Sequence, residues 1–190
     1  MLGKPKHGWT NVSIGDYSDQ ASYLDDVPLD CLNAFINGYS SYLPITISFD
    51  AEGHEFLLVV DYYTTHIISN RDFIMALRTG GEEKERFILK SYDINRDDLA
   101  KELINDIESN LEGWVHWFFA DPFVDDDENS AERRKELIEH IEKLKELIRK
   151  SEQRADENLK FAMDFINSPK EIVEYSSKEE LRAFLKRNEQ

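Results

Sequence analysis

The sequence lacks several features that would assign a protein to a class directly. It has one cysteine, Cys31, in 190 residues, which excludes an intramolecular disulfide and a metal site built from several cysteines. Its longest apolar runs, residues 56–60 and 73–77, are far shorter than the ~18 to 20 residues of a membrane-spanning helix. No apolar segment follows the first basic residues, so we expect no secretory signal. Together these absences predict a protein of the reducing cytoplasm that makes no contact with a membrane.

Basic residues are also scarce, and their distribution is uneven. Residues 1–128 hold 25 acidic and 9 basic residues, a net charge of −16, whereas the remaining 62 residues hold 14 of each. Direct nucleic-acid binding is disfavoured because it relies on Lys and Arg to neutralise phosphates. An acidic surface attracts basic partners instead. Leu, Ile, Val and Phe account for 52 residues, enough apolar side chains for a folded core.

The hydrophobic pattern predicts an α+β fold, with a roughly four-stranded, mainly antiparallel sheet, packed helices and a C-terminal helical extension. Strands are expected at residues 45–49, 55–60, 64–69 and 86–92, because these segments alternate or are continuously apolar, and the first three are joined by short turns that imply antiparallel neighbours. We also expect a short helix or edge segment at residues 73–77. Before residue 22 we expect a single strand followed by a turn.

Residues at the ends of two predicted helices indicate where these helices begin or end. Asp26 can cap a helix with Pro28 in its first turn, and Gly38 is expected to end it. Asn95 and Asp98 form a variant of the capping box before a second helix, whose wide apolar stripe favours packing on a sheet. The stripe consists of Leu99, Leu103, Ile107 and Leu111.

Composition divides the chain into an acidic α+β domain at residues 1–124, an acidic linker at 125–130 and a helical extension at 131–190. Residues 129–167 are expected to form one long helix, or two helices with a bend near residues 151–156, with a heptad-like apolar seam. A capping box predicts a last helix after residue 177. The seam can form a homodimer through residues 131–166, or it can be buried within one chain by an antiparallel helical hairpin. It contains Leu137, Ile141, Leu144 and Ile148, followed by Ser151, Ala155, Leu159, Ala162 and Ile166.

No catalytic residue, metal site or cofactor site is recognisable from motifs. The five histidines are scattered, and nucleophile elbows, phosphate-binding glycine loops and dinucleotide fingerprints are absent. One enzymatic alternative is a metal-dependent hydrolase or nuclease that uses carboxylates near Asp50, Asp61 and Glu82. It requires these side chains to converge within roughly 6 Å of a common point.

The carboxylates around the first helix and the first hairpin are the better candidates for function. If the topology brings them together, they form a negative patch that can dock Lys and Arg side chains of a partner. A merely soluble acidic surface is the alternative. Either Trp114 or Trp117 can add an aromatic interface anchor, or both can be core residues. The predicted partner-binding carboxylates are Asp16, Asp19, Asp25, Asp26, Asp50, Glu52 and Glu55, with Asp30 beside them.

Three segments of the acidic domain resemble, in general style, the immunity proteins of bacterial toxin systems. They are SYLDDVPL at residues 22–29, FDAEGHEF at 49–56 and LEGWVHW at 111–117. The resemblance covers residues 1–120 and leaves out the C-terminal helices. It implies a protein that occludes the active site of a basic toxin domain and catalyses no reaction. A coiled-coil assembly protein is a further hypothesis, besides the inhibitor and the metal-dependent enzyme.

Overall fold

The computed structural model describes residues 1–40, 43–70, 87–117 and 127–167. Two compact units divide the chain, Met1–Ser151 and Glu152–Gln190. In the described residues the chain order of elements is β1 Trp9–Ile14, β2 Tyr17–Ser22, α1 Val27–Ser40, β3 Ile45–Asp50, β4 Glu55–Val60, β5 Thr65–Ser69, β6 Ile88–Tyr92, α2 Arg96–Ser109, α3 Leu111–Val115 and α4 Asp127–Asn167. The expected elements at residues 73–77 and after 177 lie outside the described residues.

Strands β3 to β6 form a four-stranded antiparallel sheet in chain order, and the short turns between β3, β4 and β5 predicted the antiparallel pairing of these three. In β3, Ile45, Ile47 and Phe49 are buried and alternate with less buried residues, which is the period of a strand with one face on the core. Neighbouring β4 places Phe56 opposite Phe49, and the two rings stack with centroids 4.9 Å apart. The α+β prediction is therefore confirmed.

A second, two-stranded sheet replaces the single strand expected at the start of the chain. β1 and β2 pair antiparallel from Trp9 opposite Ser22 to Ile14 opposite Tyr17, with Gly15 and Asp16 as the turn. Gly15 has φ +57°, the left-handed backbone that this tight turn needs. β2 escaped prediction because its buried positions include polar Asp19 and Ser22, so it has no apolar run.

Helices α1 and α2 follow their predicted starts, but α1 does not end at its glycine. The side chain of Asn95 accepts a hydrogen bond from the backbone N–H of Asp98 at 2.8 Å, which confirms the cap of α2. α1 continues to Ser40, and Gly38 is buried inside it. A Cβ at this position would collide with Ile45 of β3. Gly38 therefore permits close packing of α1 on the sheet rather than ending the helix.

The long helix α4 begins at Asp127, so the last part of the segment assigned by composition to a linker is helical. The first compact unit continues past this segment to Ser151, because the seam of α4 is buried in the same core cluster as the sheet and the other helices. The second unit begins at Glu152, and the described side chains of α4 from there to residue 164 are exposed. None of the described helices combines the length and hydrophobicity required to cross a lipid bilayer.

Candidate functional site

Part of the predicted acidic patch assembles at the β3–β4 turn. Asp25, just before α1, accepts the backbone N–H of Asp50 through Oδ2 at 2.7 Å. Asp50 in turn accepts the backbone N–H of Glu52 through Oδ1 at 2.6 Å, and Glu55 lies opposite Asp50 in the sheet register. The Asp25 carboxylate thus joins two separate segments of the chain, whereas the Asp50 carboxylate stabilises the turn itself. The side chains of Glu52 and Glu55 remain exposed.

Asp26 and Asp30 extend this group along the start of α1. The guanidinium of Arg133 in α4 donates two hydrogen bonds to the Asp26 carboxylate, at 2.7 and 2.8 Å. Loss of hydration, followed by the negative charges of Asp26 and Asp25, raises the pKa of the Asp30 carboxyl. Asp30 therefore lies close enough to Asp25 and Asp26 for their charges to oppose its ionisation.

Two exposed apolar side chains border these carboxylates. Tyr23 is 47% exposed and Leu24 is 59% exposed, in the connection between β2 and α1 immediately before Asp25. They were not among the predicted site residues, since no periodic pattern covers a connection. We call the group formed by Tyr23, Leu24 and the adjacent carboxylates the acidic end. Its carboxylates belong to Asp25, Asp26, Asp30, Asp50, Glu52 and Glu55.

Asp16 and Asp19, the other two predicted carboxylates, bind groups within the chain. Asp19 is 8% exposed and accepts hydrogen bonds from the Tyr17 hydroxyl at 3.0 Å and from the backbone of Gln20, with His54 Nε2 2.8 Å from its carboxylate. Its contact with His54 supports the β3–β4 turn, and its burial leaves little surface for a partner.

Asp16 lies at β6, away from the acidic end. The Tyr92 hydroxyl donates to Oδ1 at 2.5 Å and the Lys90 ammonium to Oδ2 at 3.0 Å. These two hydrogen bonds, the one from Tyr92 first, lower the pKa of the Asp16 carboxyl. The structure therefore corrects the prediction of a single patch: Asp16 joins the β1–β2 hairpin to the sheet instead.

The two tryptophans predicted as candidate anchors are core residues. Trp114 is fully buried and Trp117 is 2% exposed, with their rings 5.2 Å apart. The indole N–H of Trp117 donates to the backbone carbonyl of Asp25 at 2.9 Å. Of the two alternatives, interface anchor and core residue, the structure favours the core for both tryptophans, so neither is an exposed partner-binding residue. The hydrogen bond from Trp117 connects the residues after α3 to the acidic end. Tyr23 and Leu24 supply the exposed apolar surface there.

The carboxylates named for a hydrolase do not converge where the structure describes them. Asp50 ends β3 opposite the first residue of β4, and Asp61 follows the last residue of β4. At ~3.3 Å per residue, six residues of strand separate the two positions by about 20 Å. Glu82 lies outside the described residues. Across the described ranges, no group of three or more His, Cys, Asp or Glu side chains is placed to hold a metal ion.

A cysteine nucleophile has no support either. Cys31 is fully buried in α1, and burial, followed by the charge of Asp30, raises the pKa of its thiol. A nucleophilic cysteine needs a thiolate that a substrate can reach. Cys31 therefore belongs to the core.

The heptad-like seam of α4 has two different environments. Leu137, Ile141, Leu144 and Ile148 are at most 5% exposed and lie in the core of the first unit. Two further ion pairs attach this part of α4 to its own chain, Arg134 to Glu112 and Lys145 to Glu108. The part of the predicted dimer interface before Ser151 is thus covered within one chain. Leu159, farther along the seam, is 63% exposed.

Comparisons of the chain with protein-family models, with curated proteins and with solved structures found no significant match.

Proposed function

We propose that this chain is an acidic protein-binding module of the immunity type, acting in the cytoplasm, which inhibits a basic toxin domain by covering its active site. The observation that carries the proposal is the acidic end, where two exposed apolar side chains border six carboxylates. Only Asp26 among these carboxylates pairs with a Lys or Arg in the described part of the chain. Among the other five, Asp30, Glu52 and Glu55 are exposed and can accept cations of a partner.

The composition of the acidic end suits a basic protein. Carboxylates steer a cationic partner during diffusion and accept charge-assisted hydrogen bonds from its Lys and Arg side chains. Affinity additionally needs apolar or aromatic side chains that lose water in the complex. Tyr23 and Leu24 meet this requirement, and the hydrogen bond from Trp117 to Asp25 fixes the backbone beside them.

Inhibition by this surface needs no reaction. Residues that bind nucleic-acid substrate in a toxin are rich in Lys and Arg, because they contact phosphates. Carboxylates of the acidic end would occupy the same cations and exclude the substrate. Such an inhibitor is a mimic of the substrate's charge, and its effect should weaken as salt concentration rises.

A pull-down with the full chain as bait, followed by binding and activity assays on the captured protein, tests the proposal. We expect a basic protein whose activity the chain inhibits. Affinity should fall about tenfold or more in Tyr23→Ser and in the double variant Asp30→Asn/Glu52→Gln. The matched control is Glu139→Gln/Glu142→Gln, which removes two exposed carboxylates of α4 and should leave affinity unchanged.

Two results would remove the proposal. One is a bait that recovers no basic protein, and the other is a captured partner whose affinity depends on the α4 carboxylates as much as on the acidic end. The reading frame adjoining this gene is a second observation that separates an inhibitor from the other classes, since the proposal expects it to encode a toxin-like protein.

A second candidate is self-association through residues 152–166. Leu159 and Met163 lie one helical turn apart in α4 and are 63% and 48% exposed. A second copy of the same helix would cover both. The proposal expects a dimeric mass by light scattering at micromolar concentration and a monomeric mass for Leu159→Gln/Met163→Gln. A monomeric mass for the unmodified chain would contradict it.

A further inference from the structure

A cleft of about 310 Å³ lies between the start of the chain and α3. Lys6 and His7 line it on one side and His116 on the other, with the buried Trp117 behind them. From the sequence, His7 and His116 were weighed only as scattered histidines without a ligand motif, and Lys6 was not considered for a site. The side chains of Lys6, His7 and His116 are exposed to solvent.

The backbone around the cleft has two features that depend on glycine. Lys6 and Trp9 exchange backbone hydrogen bonds of 2.8 and 3.1 Å across a turn in which His7 and Gly8 have φ values of +52° and +77°. Positive φ at both central residues is typical of a type I′ turn. A Cβ added at Gly113 of α3 would approach Pro5 Cγ to 2.7 Å. The close approach of α3 to this turn therefore requires a residue without a side chain at 113.

The cleft contains one cation, Lys6, in an otherwise acidic part of the chain. Lys4 and Lys6 are the only Lys or Arg residues among the first 70, which contain nine Asp and Glu residues. In the described ranges neither lysine forms an ion pair. The nearby acidic residue of α3, Glu112, already binds Arg134, and that hydrogen bond lowers the pKa of the Glu112 carboxyl. Its charge is thus compensated by a cation outside the cleft.

We propose that this cleft binds an oxyanion, a carboxylate or a phosphate group, with Lys6 Nζ and the imidazoles of His7 and His116 as its hydrogen-bond donors. The volume of 310 Å³ is at the lower end for small-ligand pockets, which suits one anionic group with a small body attached. Lys6 supplies a full charge, and each imidazole supplies an N–H in either protonation state. The inference does not rest on the proposed inhibitor function, because its donors Lys6, His7 and His116 are not residues of the acidic end, although Trp117 lines the cleft and also donates to Asp25.

An amide-detected NMR titration of the full chain with sodium phosphate and, separately, with sodium acetate tests this site, with ionic strength held constant by sodium chloride. Saturable shifts are expected at residues 6–9 and 113–117 and at the Trp117 indole N–H. Lys6→Gln and His116→Gln should each weaken binding about three- to tenfold, the loss of one hydrogen bond to a charged group. The matched control Lys143→Gln removes an exposed cation of α4 and should bind like the unmodified chain.

The two titrations also distinguish the sources of the oxyanion. Saturation by phosphate alone assigns a phosphate ligand, saturation by acetate alone assigns a carboxylate, and saturation by both assigns an oxyanion site in general. The proposal fails if neither anion produces saturable shifts at these residues, or if sodium chloride alone reproduces them. It fails equally if Lys6→Gln, with an amide spectrum that shows intact folding, binds as tightly as Lys143→Gln.

Discussion

Replacement of Arg133 by methionine offers the sharpest test of how the part of α4 before Ser151 is held in the first unit. The Arg133 side chain is 10% exposed and its partner Asp26 is 23% exposed. The guanidinium donates two hydrogen bonds to this carboxylate and a third, of 3.2 Å, to the backbone carbonyl of Trp114. Methionine keeps much of the apolar volume but removes every donor. The substitution would leave Asp26 and the carbonyl without these bonds.

The expected loss follows from this burial. Removing one partner of a fully buried ion pair costs about 3 to 5 kcal/mol, and the partial exposure of Asp26 places this pair below that range. Net hydrogen bonds to charged groups are worth about 1.5 to 3 kcal/mol. We therefore expect Arg133→Met to lower the free energy of unfolding by ~2 to 3 kcal/mol, measured at pH 7 by urea denaturation with circular dichroism and tryptophan fluorescence.

Arg134→Met is the matched control, since the neighbouring arginine also contacts a carboxylate through both terminal nitrogens. Arg134 and Glu112 are 39% and 67% exposed, so water compensates for the lost contacts and the urea midpoint should stay close to that of the unmodified chain. The double variant Arg133→Met/Asp26→Asn should recover part of the stability lost in Arg133→Met, because it also removes the carboxylate charge that Arg133→Met leaves unpaired. A loss below about 0.5 kcal/mol for Arg133→Met, or equal losses for the two arginine variants, would refute the reasoning from burial.

Three further predictions concern separate parts of the chain. Because its partners in β6 lower the pKa of Asp16 below the ordinary 3.8, its carboxylate stabilises the fold at neutral pH, and this contribution is lost as the pH falls through the lowered pKa. Asp16→Asn should thus reduce the urea midpoint at pH 7, and this difference from the unmodified chain should shrink as the pH falls below the ordinary pKa of 3.8. Cys31 should react with Ellman's reagent only as fast as the protein unfolds, and rapid labelling of the native chain would contradict its burial. Leu144→Ala should cost ~2 to 5 kcal/mol, whereas Leu159→Ala should change stability by less than ~0.5 kcal/mol; similar effects in urea denaturation would contradict their different environments.

Much of the sheet and of α2 was predictable, because those signals are local. The alternation in β3, the continuous apolar run of β4 and the cap at Asn95 each depend on neighbouring residues in the chain. β2 could not be recognised in this way. Asp19, a polar residue on its buried side, depends on Tyr17 and His54 for its hydrogen bonds, and His54 is 35 residues away in sequence.

The candidate site was predictable only in part. The sequence alone indicated that acidic residues around the start of α1 and the β3–β4 turn would form a negative patch if the topology brought them together. Contacts between distant segments decide which of these carboxylates are bound within the chain. Asp26 binds Arg133, 107 residues away, and Trp117 donates to the backbone of Asp25, 92 residues away.

What the sequence by itself determined is therefore the class of fold, the positions of the helices and strands with strong periodicity, and the sign of the charge. The tertiary structure alone decided that the tryptophans are buried, that Tyr23 and Leu24 are exposed and that the first half of the α4 seam is covered by its own chain. The physical reason is that periodicity and capping act between residues a few positions apart. Exposure and ion pairing depend on which surfaces meet when the whole chain has folded.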